Sequence, residues 1–266
     1  MKFSVLMSVY SGEKIEYLVR ALQSLLDQAL RADELVLVED GPIDTKMEEV
    51  IEFFSGKLNI HSVRLPVNSG LAIALNEGLK HCSYELVARM DSDDISLPER
   101  FEKQVVFMQE NFNVSVSSAN IEEIDDSGKV ESIRKLPLDN RSIIKFAKKR
   151  NPISHTCAIF RKSDVLAVGG YPNFRKSQDY ALWSLMLQRG YKFMNMSDIL
   201  LQMRAGSSMY KRRNISYLMH ELSLLKYQKN IGFLSHREYL MNAFSRSFLR
   251  LSPGFIKEYI YKNMRG

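Results

Sequence analysis

The chain has 266 residues, 45% hydrophobic and 26% charged, with 13 glycines and 7 prolines. Those proportions exclude collagen-like, low-complexity and largely disordered chains, and the length suits one large α/β domain with an appendage. Net charge is +6, but from Arg204 onward 12 Lys/Arg face 3 Asp/Glu, whereas the residues before it carry 25 basic and 28 acidic. A mildly acidic body with a basic tail predicts an anionic partner at the tail, nucleic acid or anionic lipid. The longest run without Asp, Glu, Lys or Arg is twelve residues, Leu65 to Asn76, short of the roughly 20 apolar residues of a bilayer-spanning helix. The N-terminus enters an apolar strand without a signal-peptide pattern. Cys82 and Cys157 make neither a metal-spacing motif nor a disulfide framework, so a cytoplasmic chain is expected.

Phe3–Val9 reads as a core strand. Ile15, Leu18, Val19, Leu22, Leu25 and Leu26 recur at spacings of three and four, predicting a helix within residues 13–28. Leu35–Val38 is a second short strand, closed by Asp40-Gly41-Pro42. Met47, Val50, Ile51 and Phe54 mark a helix ending near Gly56. Ile60–Leu65 reads as a strand, Leu71–Lys80 as a helix, and Tyr84–Met90 as a strand running into acidic residues. This alternation argues for a mostly parallel sheet with covered faces. After Pro98 the rhythm changes: helix over 99–110, strand over Val114–Ile121, a turn at Asp125-Asp126-Ser127-Gly128, a helix over 139–149, a short strand Ala158–Phe160 and a helix Ser177–Arg189. Beyond Arg204 the pattern is helical, with a capping box at Ser235-His236-Arg237-Glu238.

Arg89-Met90-Asp91-Ser92-Asp93-Asp94 places three carboxylates in four residues directly after an apolar strand. Like charges so close repel, and in open α/β sheets ligands bind at the carboxyl ends of strands. In an extended segment Asp91 and Asp93 point the same way, so both can reach one hard cation; oxygen ligands select Mg²⁺ or Mn²⁺. A solvated loop capping the next helix through Asp94 is the alternative. Glu39-Asp40-Gly41 puts another acid pair at a strand end, where Asp40 accepts from a base or ribose donor or only closes a turn. Asn68-Ser69-Gly70 leads into a helix whose backbone N–H groups either cradle an anion or form an ordinary helix start.

In this order the chain resembles the family 2 glycosyltransferases, inverting enzymes of GT-A fold, especially bacterial members that build O-antigen, lipopolysaccharide or capsule repeats. The resemblance rests on Ser8-Val9-Tyr10, Val38-Glu39-Asp40-Gly41, Asn68-Ser69-Gly70-Leu71-Ala72, Arg89 to Asp94 with Leu97-Pro98-Glu99-Arg100-Phe101, Asn151-Pro152-Ile153-Ser154-His155, Gly169-Gly170-Tyr171 and Gln178-Asp179-Tyr180-Ala181-Leu182-Trp183. It implies a GT-A catalytic domain over 1–204, with a Rossmann-like nucleotide-sugar half (1–98) and an acceptor half (99–204), followed by a basic helical region over 205–266. It implies that a UDP-sugar is held by Val9, Tyr10, Glu13, Asp40, Asn68, Gly70, Arg89, Asp91, Ser92 and Asp93. Tyr10 would stack on uracil and Asp40 accept from it, while Asp91 and Asp93 would hold Mn²⁺ or Mg²⁺. Asp179 would be the general base, ionised at neutral pH from an intrinsic pKa near 4; read without the resemblance, it is a helix N-terminal acid.

The resemblance places Asp94, like Arg89, near the donor sugar or diphosphate, and His155, Gly170, Gln178, Trp183 and Arg204 at the acceptor or elsewhere in the site. His155 either donates to the diphosphate or shapes the acceptor site, or is a structural hydrogen-bonded residue; Trp183 packs in the core or walls the acceptor pocket. Many family members carry Asp where this chain has Glu39, and Glu where it has Gln178. The expected reaction transfers a hexose, glucose or galactose, to a polyprenyl-diphosphate-linked glycan, with a β1,3 linkage favoured. Phe248, Phe255, Ile256, Tyr259 and Ile260 among basic residues suit an anionic inner-membrane surface; packing on the catalytic domain and homodimerisation are the other readings. A nucleotidyltransferase acting on sugar phosphates is a rival, but Tyr10-Ser11-Gly12-Glu13-Lys14 lacks its basic Gly-rich loop. A nucleic-acid-binding protein is a second rival, opposed by the acidic body, so no nucleic-acid partner is expected.

Overall fold

The computed structural model describes residues 1–204 and 215–251. Apolar β1 (Phe3–Val9) is buried at every position but Ser8. It feeds α1 (Ile15–Leu26), which buries Leu18, Ala21, Leu22 and Leu25 on one face. β2 (Glu34–Glu39) follows, then α2 (Thr45–Ser55), opened by Asp44, whose carboxylate accepts the Met47 N–H at 2.9 Å. β3 (Ile60–Arg64), α3 (Leu71–His81) and β4 (Leu86–Asp91) complete this half. β1 pairs in parallel with both β2 and β4, and β2 with β3.

The second half contains β5 (Ile95–Ser96), α4 (Arg100–Glu110), β6 (Val114–Ile124), β7 (Val130–Arg134) and α5 (Asn140–Ala147). A 3-10 turn (His155–Cys157) leads to β8 (Ile159–Arg161), α6 (Lys162–Ala167), α7 (Gln178–Gln188) and the long β9 (Lys192–Arg204). One sheet joins both halves in the order β3-β2-β1-β4-β8-β6-β9-β5, with β7 paired to β6. It is mixed: β8 runs antiparallel to β4 and β6, β5 to β9 and β7 to β6, while β6 and β9 are parallel.

The chain order reverses between β1 and β4, so their carboxyl ends flank a crevice of the kind that receives ligands in open α/β sheets. The register aligns Ser8 with Asp91 and Val9 with Glu39. The acidic strand ends therefore lie side by side along one edge.

The chain divides into two compact units, Met1–Ala205 and Gly206–Gly266. In the second, α8 (Ile215–Asn230) and α9 (His236–Leu251) pack together, and Glu221 of α8 accepts from Arg250 of α9 at 3.0 and 3.2 Å. The capping box forms: Ser235 Oγ accepts the Glu238 N–H at 3.2 Å, and Glu238 Oε2 accepts the Ser235 N–H at 2.8 Å. Phe255, Ile256, Tyr259 and Ile260 lie outside the described residues. No helix among the described residues is long and apolar enough to cross a membrane.

Candidate active site

The end of β4 carries the acids. Asp91, Asp93 and Asp94 each offer a carboxylate oxygen, and these lie within 4.8 Å of one another. Glu13 adds a fourth negative group from the turn before α1, accepting from Ser92 Oγ at 2.8 Å. Burial, then the charges of Asp91 and Glu13, push the Asp93 carboxyl up to about 7.

Against this stands Arg89, fully buried, with Nη1 2.5 Å from Asp91 Oδ1. None of its three side-chain nitrogens has a hydrogen-bond partner of good geometry. So much negative charge against one guanidinium suits a hard divalent cation. Asp94 is committed elsewhere: Oδ2 accepts from Thr156 Oγ1, and Oδ1 from the Arg204 N–H at 2.8 Å. Asp91 and Asp93 are therefore the fitting metal ligands, and Asp94 is a tie from β4 to the 3-10 turn and β9.

Arg204 is tied to the Asp93-Asp94 turn through Asp94. Its side chain donates to the carbonyls of Asp93, Asp125 and Asp126 at 3.2, 3.2 and 3.4 Å and stacks over Tyr17 with its guanidinium carbon 4.0 Å from the ring centroid. It braces the Asp93-Asp94 turn against the β6–β7 hairpin.

At the neighbouring strand end Asp40 is buried, and its two oxygens accept the Ser69 N–H at 2.7 Å and the Gly70 N–H at 3.0 Å. Its first role is thus to dock the loop before α3, leaving one lone pair on each oxygen for a further donor. Gly41, at φ 86°, makes that docking possible, because a Cβ there would lie 2.5 Å from the Asn68 nitrogen. Asn68 is exposed at the crevice rim. Tyr10, just past β1, is 47% exposed and presents a ring face suited to stacking. The Val9 side chain lies in the core; only its backbone reaches this edge, where its carbonyl accepts the Asp40 N–H at 2.8 Å.

Arg89 also acts electrostatically on Asp179, which sits in the first turn of α7 behind Ser177, whose φ of 64° is the one positive value at a non-glycine residue among those described. Asn151 Nδ2 donates to Asp179 Oδ2 at 2.5 Å. Burial pushes the Asp179 carboxyl up; the Tyr180 N–H, Asn151, Arg134 and Arg89 pull it back. The carboxylate is thus more basic than the intrinsic pKa implied. Gln178 is buried beside it.

Of the readings open for Trp183, His155 and Gly170, the structure shows core packing, a structural hydrogen bond and a close backbone approach, respectively. Trp183 is fully buried, ringed by Phe160, Tyr171, Phe193 and His155, so it packs beneath the site and does not wall a pocket. His155 Nε2 pairs with the Tyr171 hydroxyl at 3.0 Å; burial, then Arg89, holds its pKa well below the ordinary value, leaving a neutral ring with little charge to offer a diphosphate. Gly170, at φ 75°, lets Asn76 approach; a Cβ would sit 2.4 Å from Asn76 Oδ1, which accepts the Tyr171 N–H at 2.7 Å. Sequence reasoning missed Thr156, Asn76 and Arg134 as site supports. Asn151 stood in a family-like stretch but had no role assigned.

The family model for "Glycosyl transferase family 2" matches residues 4–168. The amylovoran biosynthesis glycosyltransferase AmsE of Erwinia amylovora is 40% identical, over 99% of both chains. A UDP-Gal:α-D-GlcNAc-diphosphoundecaprenol β-1,3-galactosyltransferase of Escherichia coli is 36% identical, over 99% of this chain and 96% of its own. Among solved structures, S. aureus TarS superposes on 93% of this chain with a TM-score of 0.69 at 20% identity, a likeness of fold; this chain spans 44% of that structure. The switch-point crevice, its strand-end acids and these matches agree: the chain belongs to glycosyltransferase family 2.

Proposed function

We propose that the protein is a metal-dependent, inverting hexosyltransferase that moves galactose or glucose from a UDP-sugar to a lipid-diphosphate-linked glycan in bacterial surface-polysaccharide synthesis. The observation that carries this reading is that the buried Arg89 guanidinium pairs with Asp91 and acts electrostatically on both Asp93 and Asp179. Donor and acceptor chemistry follow the 36%-identical relative, whose name specifies UDP-Gal and a GlcNAc-diphosphoundecaprenol acceptor; a β1,3-linked galactose is the leading case.

The chain's residues divide the reaction. Tyr10 stacks the base and Asp40 accepts from its ring N–H. Asp91 and Asp93 hold the cation, which when bound offsets charge on the departing diphosphate. Asp179 accepts the acceptor hydroxyl's proton. The freed oxygen forms its bond to the anomeric carbon as the bond from that carbon to the diphosphate oxygen breaks, and UDP leaves from the opposite face. Configuration inverts, giving a β-linkage from an α-linked donor.

A panel of UDP-sugars incubated with and without Mn²⁺ tests this. Slow Mn²⁺-dependent UDP release from one sugar, lost in Asp91→Ala, is the expected result. Absence of metal-dependent UDP binding would sink the reading.

The helical unit supports a peripheral contact with anionic lipid. On α9, Leu240, Phe244 and Phe248 recur every fourth residue beside Met241, and all four are exposed. Phe244 and Phe248 stack at 6.3 Å, within a tail rich in Lys and Arg. The full chain is expected to co-sediment with vesicles containing anionic phospholipid, and Phe244→Glu to reduce that binding several-fold. Equal binding to neutral vesicles would contradict the electrostatic part, and a dimer dissociated by the same substitution would reassign the face.

A further inference from the structure

Asp179 needs more than its place on α7 to serve as a base. A free carboxylate samples several rotamers, and burial opposes its charge. Asn151 answers the first problem. Its Oδ1 accepts the Ile153 N–H at 3.3 Å, so its Nδ2 is the atom turned toward Asp179 Oδ2, at 2.5 Å. One carboxylate oxygen is thereby held, and with the Tyr180 N–H this fixes the rotamer in which the carboxylate would meet a hydroxyl.

Arg134, at the end of β7, answers the second. Its Nη2 donates to the Asn151 carbonyl at 3.1 Å, so one guanidinium fixes the residue that fixes the base, and its charge attracts Asp179. Other charged and titratable groups complete the surroundings. Arg89 on β4 and Tyr171 before α7 act on Asp179, while Glu123 on β6 and Arg150 after α5 act on Arg134. Arg89 is already paired with Asp91, which leaves Arg134 as the cation on the Asn151 side.

We propose that Asn151 and Arg134 are positioning residues for the transfer step: Asn151 orients the Asp179 carboxylate, and Arg134 both anchors Asn151 and balances the charge of Asp179. The inference rests on Asp179 being the base, and predicts that a hairpin strand remote in sequence from α7 controls the basicity of that residue.

The test reads Asp179 directly. The side-chain carboxyl ¹³C resonances of the full chain are titrated with pH, the Asp179 signal being the one absent from Asp179→Asn. Asn151→Ala and Arg134→Gln each remove a group that favours the charged form, so the Asp179 midpoint is expected to rise by about one unit in each. Arg134→Lys, which keeps the charge, should stay near wild type. The acidic limb of the kcat profile should move upward in step, costing about fivefold in rate at the wild-type midpoint and about tenfold well below it. Unchanged midpoints in properly folded variants would overturn the proposal. So would an Arg134→Gln protein altered only in acceptor KM, which would make Arg134 a substrate contact. An active Asp179→Asn enzyme would instead remove the base assignment itself, a failure distinct from either.

Discussion

Replacing Asp179 with Asn is expected to lower kcat for glycosyl transfer by about 100- to 10,000-fold, with UDP affinity little changed. The amide keeps the volume and the hydrogen-bonding capacity toward Asn151 but takes up no proton, whereas the nucleotide contacts proposed here belong to Tyr10, Asp40 and the Asp91/Asp93 pair. The pH dependence of the wild type follows from the same burial. The Asp179 carboxyl is raised above its ordinary value of 3.8, and a base works only when deprotonated. Activity should therefore rise with pH along an acidic limb displaced upward from that of an ordinary aspartate, and Asp179→Asn should lack that limb. Initial rates from pH 4 to 9, with UDP binding measured in parallel, check both parts. A parallel loss of UDP affinity in Asp179→Asn would place the residue on the donor side instead.

The first half was legible because its strands are continuous apolar runs ending in acids, a pattern that places both the sheet and the crevice. The crossover β9 was not. Lys192–Arg204 contains one β-branched residue, Ile199, among Met, Leu and Gln that favour helices. It is a strand because β6 offers it a parallel partner along most of its length, a tertiary fact without a local signature.

The same reason limits what the motif residues disclosed. Asp94 was visible as an acid, but its partners Thr156 and Arg204 lie 62 and 110 residues away, so its structural commitment was hidden. Asp40 was visible too, while its hold on the Ser69 and Gly70 amides appears only when β2 and α3 are set side by side. Trp183 stayed open between core and pocket for a simpler reason. Helix α7 buries almost its whole circumference, Tyr180, Ala181, Leu182, Trp183 and Ser184 included, so no periodicity marked which face reached a pocket.

The acid pair leads to an opposite coupling of stability and function. Asp93→Asn is expected to abolish metal-dependent turnover and yet stabilise the metal-free protein at pH 8 by about 1–3 kcal/mol. The folded state holds the Asp93 proton up to about pH 7, whereas the unfolded chain releases it near 3.8. Deprotonation between those values is thus unfavourable to the native state, and stability falls as pH rises through that window. An amide at this position carries no charge to repel Asp91 and Glu13, so the loss disappears. Thermal melts should show Asp93→Asn above wild type by about 2–10 °C at pH 8. Addition of Mn²⁺ should close the gap by raising wild type alone, since a ligand that binds only the native state shifts its melting point. A metal-free Asp93→Asn protein melting below wild type would show that the carboxylate is held by bonds the amide cannot replace. Equal Mn²⁺ stabilisation of both proteins would move the cation away from Asp93. On the proposed reading a bound divalent cation would supply the positive charge that offsets the repulsion among these acids, so the site would be at its least stable when empty.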